Sequence, residues 1–321
     1  MSAPLRIGTR GSALAVWQTE HVRARLRAAG VATDRVEIRT TGDVVQHVPL
    51  SEIGHRALFT RQIDDAMLER RIDLAVHSLK DLPTTLPAGI ALAAVGERED
   101  PRDALVGRGP LHWDDVPDGA VLATSSLRRR AQLLRLRPDL DIRDIRGNVD
   151  TRLAKLEADR QWSGIVLAVA GLVRLGLAHR IGQRLPPDLM LPAPGQGALA
   201  VTARSDDAAA VRAAVRAVHH QPTAVAVAAE RAFLRTLEGG CQVPVAALAA
   251  PSARGELRLH GRVVSLRGER SVEGIESGAV ADERQAEAVG VELARRLVDE
   301  GAGAILREVR AAAGAPTVAE P

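Results

Sequence analysis

The chain has 321 residues, 46% of them hydrophobic and 26% charged, with 43 Lys and Arg against 40 Asp and Glu. That length exceeds one ordinary core and predicts two or three domains. No apolar run reaches a membrane span, an aromatic content of 2% without Tyr argues against a base-stacking surface, and the single cysteine, Cys241, excludes an internal disulfide framework and a cysteine-built metal centre.

The nine histidines are scattered, and the adjacent His219 and His220 are wrongly spaced for two ligands on one helix face, so no metal is expected. Lys80 and Lys155 are the only lysines, which makes the positive charge almost entirely guanidinium. Guanidinium pairs carboxylates through two parallel hydrogen bonds. An anionic small ligand, an acidic partner and nucleic acid all remain open on that ground. The opening residues carry Arg6 and Arg10 and run straight into a patterned segment, unlike a secretory signal, and a lone thiol fits a reducing compartment; a cytoplasmic location is expected.

In chain order, Leu5–Arg10 reads as a strand and Ser12–Ala29 as a helix, capped by Ser12 and stopped by Gly30. Val36–Thr40 reads as a short strand, and Asp43–Arg56 as a long loop without a clean period. Ala57–Arg71 reads as a helix and Asp73–Leu79 as a buried strand. After the charged stretch Glu97–Asp103, strands are expected at Ala120–Thr124, Asp141–Ile145 and Gly164–Ala170, with helices at Ser126–Leu136 and Asn148–Arg160. Such alternation predicts parallel sheets covered by helices, with ligands outside the C-terminal ends of the strands. Leu185–Gly197 reads as a connection and Ala198–Ala203 as another strand. From Gln221 the texture becomes that of a smaller α+β unit: a helix over Thr223–Leu237, strands over Val243–Ala249 and Glu256–Ser265, and a helix over Glu283–Glu300. The tail after Ala311 is rich in Ala, Gly and Pro and is expected to fray.

Four segments carry chemistry. In DLAVHSLKDLP (73–83) an apolar strand ends in His77, Ser78, Lys80 and Asp81; Lys80 can neutralise a carboxylate, and Asp81 can accept from ligand N–H groups and stabilise a cation. A solvated turn with a local Lys–Asp pair is the plainer alternative. In ATSSLRRR (123–130), Ser125 or Ser126 can cap a helix whose first turn is an anion site, while Arg128, Arg129 and Arg130 oppose its dipole until an anion binds. An exposed basic face or a nucleic-acid patch would look the same. In IRGNVDTR (145–152), Gly147 permits a tight turn and Asn148 can cap the next helix, with Arg146 and Arg152 flanking its start. Two Arg-bearing helix starts one strand apart point to a ligand with several carboxylates. In LEGGCQVP (237–244), Cys241 follows two glycines that admit close approach, and an Arg-rich cleft would favour its thiolate; a buried structural cysteine is the alternative. GTRGS (8–12) lacks the spacing of a phosphate-binding loop.

Together with RIGTRGSALA at the start, TTGD (40–43), EREDPRDAL (97–105), LAVAGLVRLG (167–176) and LPAPGQGAL (191–199), these segments resemble the porphobilinogen deaminase family over nearly the whole chain. The resemblance implies an α/β fold: two periplasmic-binding-protein-like α/β domains enclosing a cleft (1–98 with 197–218, and 99–196), plus a smaller C-terminal α+β domain (219–313) and a disordered tail (314–321). It implies a transferase of haem biosynthesis that joins four porphobilinogen molecules head to tail into hydroxymethylbilane, with loss of ammonia. It further implies a dipyrromethane cofactor held by a thioether bond, which the motif match assigns to Cys241. By the same match Asp81 stabilises the cation left by deamination. Lys80, Ser78, Thr124, Ser125, Ser126, Arg128, Arg129, Arg146 and Gly147 hold the cofactor, and Arg10, Ser12, Arg146, Arg152 and Gln196 meet substrate. A monomer without membrane or nucleic-acid partners is implied.

The lid segment departs from the family pattern. Gly54–Gln62 reads GHRALFTRQ, with Arg56 and Arg61 where lysines are usual, His55 and Ala57 in place of glycines, and Gln62 in place of an acid. A solute-binding protein would use the same halves but has no use for Cys241 or a third domain. A nucleic-acid binder would need a dominant basic face that the near-balance of charges does not supply.

Overall fold

A computed structural model describes residues 3–40, 60–237, 243–252 and 255–312. The expected loop over Asp43–Arg56, the lid residues His55, Arg56 and Ala57, and Cys241 lie outside the described residues.

Among the described residues three sheets carry the fold. The first contains β1 (Leu5–Thr9), β2 (Thr33–Glu37), β3 (Leu74–Ser78), β4 (Ile90–Val95) and, from much later in the chain, β10 (Leu199–Arg204), in the order β2-β1-β3-β10-β4. The second contains β5 (Asp103–Val106), β6 (Val121–Ala123), β7 (Asp141–Arg143), β8 (Trp162–Ala168) and β9 (Gln183–Leu185), in the order β7-β6-β8-β5-β9. The two orders are the same pattern drawn twice. Three strands run parallel, and a fourth is inserted antiparallel before the edge strand. The sheets are therefore mixed rather than parallel as the alternation predicts. The physical reason lies in the connections: β5 and β10 are each entered from the opposite unit, so each runs against its neighbours.

Helices cover both sheets. Helix α1 (Ala13–Ala28) starts where the Ser12 hydroxyl accepts from the Ala15 N–H at 3.4 Å, and it packs Val22 and Leu26 into the first core beside Ile7, Leu74 and Val201. Helix α2 (Arg61–Leu68) precedes β3 and buries Ile63, Ala66 and Met67. In the second unit, α3 (Leu127–Leu136) is capped by Ser126, whose hydroxyl accepts from the Arg129 N–H at 3.5 Å. Asn148 stands at the N-cap of α4 (Val149–Ala158) but makes no side-chain cap bond. The short helix α5 (Val169–Arg174) follows β8 directly, and α6 (Ala208–Val218) follows β10.

The third unit is an antiparallel sheet of β11 (Val245–Pro251), β12 (Leu257–Val264) and β13 (Ser271–Gly278). It is covered by α7 (Gln221–Thr236) and α8 (Glu283–Leu297), around a core of Phe233, Leu259, Val263, Leu293 and Leu297, and α9 (Gly303–Ala312) closes it.

The chain crosses between the first two units twice, over residues 96–102 and 186–198. The crossings touch: Glu99 donates its backbone N–H to the Gly197 carbonyl at 3.1 Å, and Arg98 donates its Nε–H to the Gln196 carbonyl at 2.9 Å. Gly197 sits at φ +90°, and a Cβ there would run into the Glu99 carbonyl, so only glycine lets the two strands lie this close. The third unit grips both crossings through Glu230 on α7. This carboxylate is fully buried and accepts from both terminal nitrogens of Arg98 (2.6 and 3.1 Å), from the Gly195 N–H (2.7 Å) and from the Ala249 N–H (2.8 Å).

Candidate active site

The C-terminal ends of the parallel strands of both sheets face one cleft, a cavity of about 230 Å³. From the end of β1 come Arg10 and Ser12, from the end of β3 Ser78, Lys80 and Asp81, from the turn after β7 Gly147 and Asn148, and from the first turn of α4 Asp150 and Arg152. Helix α3 contributes Arg129, and the run after β8 contributes Ala170, Gly171 and Arg174. A site outside the carboxyl ends of such strands is where this class of fold keeps its ligands.

Among the described residues the lining carries the cations Arg10, Lys80, Arg129, Arg152 and Arg174 and the carboxylates Asp81 and Asp150. Burial pushes Lys80 down to about 8, with Arg129 and Arg128 adding to the effect while Asp81 and Asp103 oppose it. Burial likewise pushes Arg152 and Arg174 down to about 10, and Arg129 and Arg146 add to the effect at Arg152. The lining thus gathers buried and half-buried cations, a setting that suits a ligand carrying several carboxylates.

Local structure aims these groups. Ser78 accepts from the Gln18 amide at 2.9 Å, which ties the end of β3 to α1. Gly147 turns the chain at φ +114°, where a Cβ would meet Thr151 Cγ2 at 2.7 Å, and its carbonyl accepts from Arg152 Nε at 2.8 Å. Arg174 donates to the Gly197 carbonyl at 2.6 Å, and its guanidinium lies over the Trp17 ring at 5.8 Å, so α5 of the second unit meets α1 of the first at the cleft's edge. Asp81 is exposed, but into this cleft.

Behind the lining lies a buried polar chain. Lys80 Nζ donates to Gln196 Oε1 at 3.1 Å. Gln196 Nε2 donates to the Pro101 carbonyl at 2.7 Å and to Asp103 Oδ1 at 3.0 Å. Asp103, fully buried, accepts from Arg128 (2.8 Å) and from two nitrogens of Arg129 (3.0 and 2.7 Å). Burial alone would raise the Asp103 carboxyl, but Arg128 and Arg129 hold it well below the usual carboxylate range.

The expected site residues among those described fall into four groups. Arg10, Ser12, Ser78, Lys80, Asp81, Arg129, Gly147 and Arg152 meet at the cleft. Arg128 and Gln196 stand behind it; Arg128 is turned to Asp103 and the Leu191 carbonyl, and the Gln196 amide is spent on Lys80, Pro101 and Asp103, so neither lines the cavity. Thr124, Ser125 and Ser126 line a second cavity of about 320 Å³ with Arg130, Asp144 and Arg267. Arg146 is half-buried on the turn before α4 and lines neither cavity, while its carbonyl accepts from Lys155. Among the described residues no cluster of His, Cys, Asp or Glu could hold a metal ion.

Sequence reasoning missed Gln18, Asp103, Asp150 and Arg174. Arg174 lies within LAVAGLVRLG, and its signal was a cation shortly after an apolar strand. Asp103 gave none, because its role depends on partners 25, 26 and 93 positions away.

Comparison with known proteins agrees with this arrangement. Residues 5–212 match the family model "Porphobilinogen deaminase, dipyromethane cofactor binding domain", and residues 224–299 match "Porphobilinogen deaminase, C-terminal domain". The porphobilinogen deaminase of Desulforudis audaxviator is 51% identical over 96% of this chain and 98% of its own length. That of Moorella thermoacetica is 48% identical over 97% and 98%. A periplasmic substrate-binding protein from Coxiella burnetii aligns with 68% of this chain and 93% of its own, at 13% identity and a TM-score of 0.44, too loose a likeness to carry an argument. By the two matched models and the near full-length relatives, the chain belongs to the porphobilinogen deaminase family.

Proposed function

We propose that the cation-lined cleft between the first two units is where this transferase polymerises four porphobilinogen molecules into hydroxymethylbilane, with Asp81 as the carboxylate that stabilises the deaminated ring. The observation that carries the reading is the gathering, among the described residues, of five cations and two carboxylates around one cavity, with Lys80, Arg152 and Arg174 pushed by burial below their ordinary pKa values. Porphobilinogen carries an acetate and a propionate, so every added ring brings two negative charges.

The residues present fit a dipyrromethane group. Its four carboxylates suit the guanidinium and ammonium groups of the lining in kind. Arg129, Arg152 and Lys80 would hold it, with Ser12, Ser78 and the turn at Gly147 as neutral neighbours, and Cys241 as its covalent anchor. When bound, it supplies a nucleophilic pyrrole carbon to which substrate is joined.

The chain's own groups do the rest. The cleft cations bind the carboxylates of incoming substrate and fix its ring orientation, which supplies the alignment that carbon–carbon bond formation needs. Loss of ammonia leaves an electron-poor azafulvene cation. The Asp81 carboxylate, on the same wall as Lys80, stabilises that charge and accepts from the pyrrole N–H. Thr124, Ser125, Ser126, Arg128, Arg146 and Gln196 support this lining from behind or beside it.

The domain limits follow the same reading, at 1–98 with 197–218, 99–196 and 219–313, supported by the return of β10 to the first sheet. The enzyme works as a cytoplasmic monomer without membrane or nucleic-acid partners. The lone cysteine supports the compartment, and among the described residues no helix is long and apolar enough to cross a membrane.

Intact mass and turnover test the assignment together. The native protein should exceed its sequence mass by two linked pyrrole units, and Cys241→Ser should lose the excess. Asp81→Ala should keep the excess yet lose nearly all ammonia release. Near-normal turnover in Asp81→Ala would remove it from the chemistry, and a bare native chain that still makes product would remove Cys241.

A further inference from the structure

We propose that Asp103 is a positioning residue of the condensation site, its buried carboxylate fixing Arg128 and Arg129 directly and Lys80 through Gln196. The inference rests on the cleft being the binding site.

Its geometry sets Asp103 apart from an ordinary buried ion pair. The residue opens β5 immediately after the first crossing, and Gln196 lies in the second. One carboxylate therefore joins both crossings and the first turn of α3. On α3, Arg128 and Arg129 are adjacent cations near a helix N-terminus, where the dipole opposes them. Asp103 offsets that conflict from one side. Its Oδ2 takes Arg128, and its Oδ1 takes two nitrogens of Arg129 together with the Gln196 amide. Arg129 spends three of its five N–H groups on Asp103 and the Val166 carbonyl, which leaves two on a side chain that lines the cavity.

Stability does not account for such a cluster. Replacing a buried Arg–carboxylate–Arg triad by apolar residues is often neutral or stabilising. What the triad supplies here is orientation. Arg129 and Lys80 come from different units, and the path Arg129–Asp103–Gln196–Lys80 fixes both relative to one carboxylate. Two cations set at a fixed spacing can receive the acetate and propionate of one ring, or the facing carboxylates of two.

The test uses Asp103→Asn in the purified full-length protein, with Lys80→Ala and Arg129→Leu as controls. Asp103→Asn should melt as a single folded species and carry less of the two-pyrrole mass increment. With porphobilinogen it should accumulate short enzyme-bound intermediates, and kcat/KM should fall about 100-fold, mostly through KM, as expected for misplaced binding groups. Its alkaline limb should move to lower pH, because Asp103 and Asp81 support the charged form of Lys80 while Arg128 and Arg129 oppose it. Asp103→Glu, which keeps the charge, should restore part of the loss and return the limb. A rate that scales only with the folded fraction, with intermediates and pH profile unchanged, would overturn the proposal. Should Asp103→Asn fail to fold, Gln196→Met cuts the Lys80 arm and leaves the Asp103 bonds to Arg128 and Arg129 in place. It should reproduce the acidward move, and an unmoved limb would count equally against the inference. If Lys80→Ala and Arg129→Leu also leave the intermediates unchanged, the cleft reading itself fails; if they alter them and Asp103→Asn does not, only the role of Asp103 fails.

Discussion

Replacing Glu230 by Gln tests how the third unit is fastened to the other two. The two carboxylate oxygens each accept two donors: Oε1 from Arg98 and the Ala249 N–H, Oε2 from Arg98 and the Gly195 N–H. An amide has one oxygen. Whichever way Gln is turned, its NH₂ group faces two donors, one of them a guanidinium, and the charge that balances Arg98 is gone. Glu230 is fully buried and the Arg98 side chain only 12% exposed, so water offers little compensation. Breaking a buried pair from one side costs about 3–5 kcal/mol, and an orphaned buried donor adds roughly 1–3 kcal/mol. Glu230→Gln is therefore expected to cost at least about 3 kcal/mol. Urea denaturation followed by far-UV circular dichroism would measure it, and a split into two transitions would identify the third unit as the part released. A loss below about 1 kcal/mol with one unchanged transition would refute the reasoning, since it would mean that the four bonds behave like a surface ion pair.

Two pH-dependent outcomes follow from other buried groups. Lys80 is pushed down from 10.5 to about 8, so between those values the unfolded chain binds more protons than the ligand-free protein, and on this group's account stability rises with pH across that window. Carboxylate ligands select the charged form, so affinity runs the other way. KM for porphobilinogen should climb above pH 8 in the native enzyme and stay flat to higher pH in Lys80→Arg; parallel slopes would show that another group titrates. Asp64 is pushed up by burial from 3.8 to about 6, so its contribution favours folding below pH 3.8 and is lost as pH rises through 6. Asp64→Asn should therefore stabilise the protein at pH 7 by about 1–3 kcal/mol and give no gain at pH 4 in the same urea melts. A gain of equal size at both pH values would assign the effect to packing.

What the sequence displayed was local. Ser12 caps its helix where the pattern placed it, Ser126 is the one of the two candidate serines that caps α3, Gly30 ends α1 at φ +79°, and the apolar strand before Lys80 ends one residue ahead of its expected limit. Val36–Thr40 was offset, because β2 is a half-exposed strand that, among the described residues, pairs only with β1, and its alternation is weak. The strands β4 and β5 were not marked, since β5 opens with Asp103, which reads as the end of a charged loop until Arg128 and Arg129 are brought to it. The expected strand over Gly164–Ala170 stops at Ala168, where α5 begins, because a short apolar run has no period long enough to tell strand from helix. The cleft was legible as segments whose cations follow strands. Which cations face the cavity was not, because Arg128 and Arg129 are neighbours in sequence and only one of them lines it.

The discontinuous first sheet has a consequence for how the protein is made. Its β10 lies between β3 and β4 but is encoded after the whole of the second sheet, which occupies one uninterrupted stretch from β5 to β9. As the nascent chain leaves the ribosome, residues 5–95 emerge with a gap where their fourth strand belongs. The middle unit can close before that gap is filled. The part synthesised first is finished later than the part that interrupts it, and until then β3 and β4 present open edges that a second nascent chain could join.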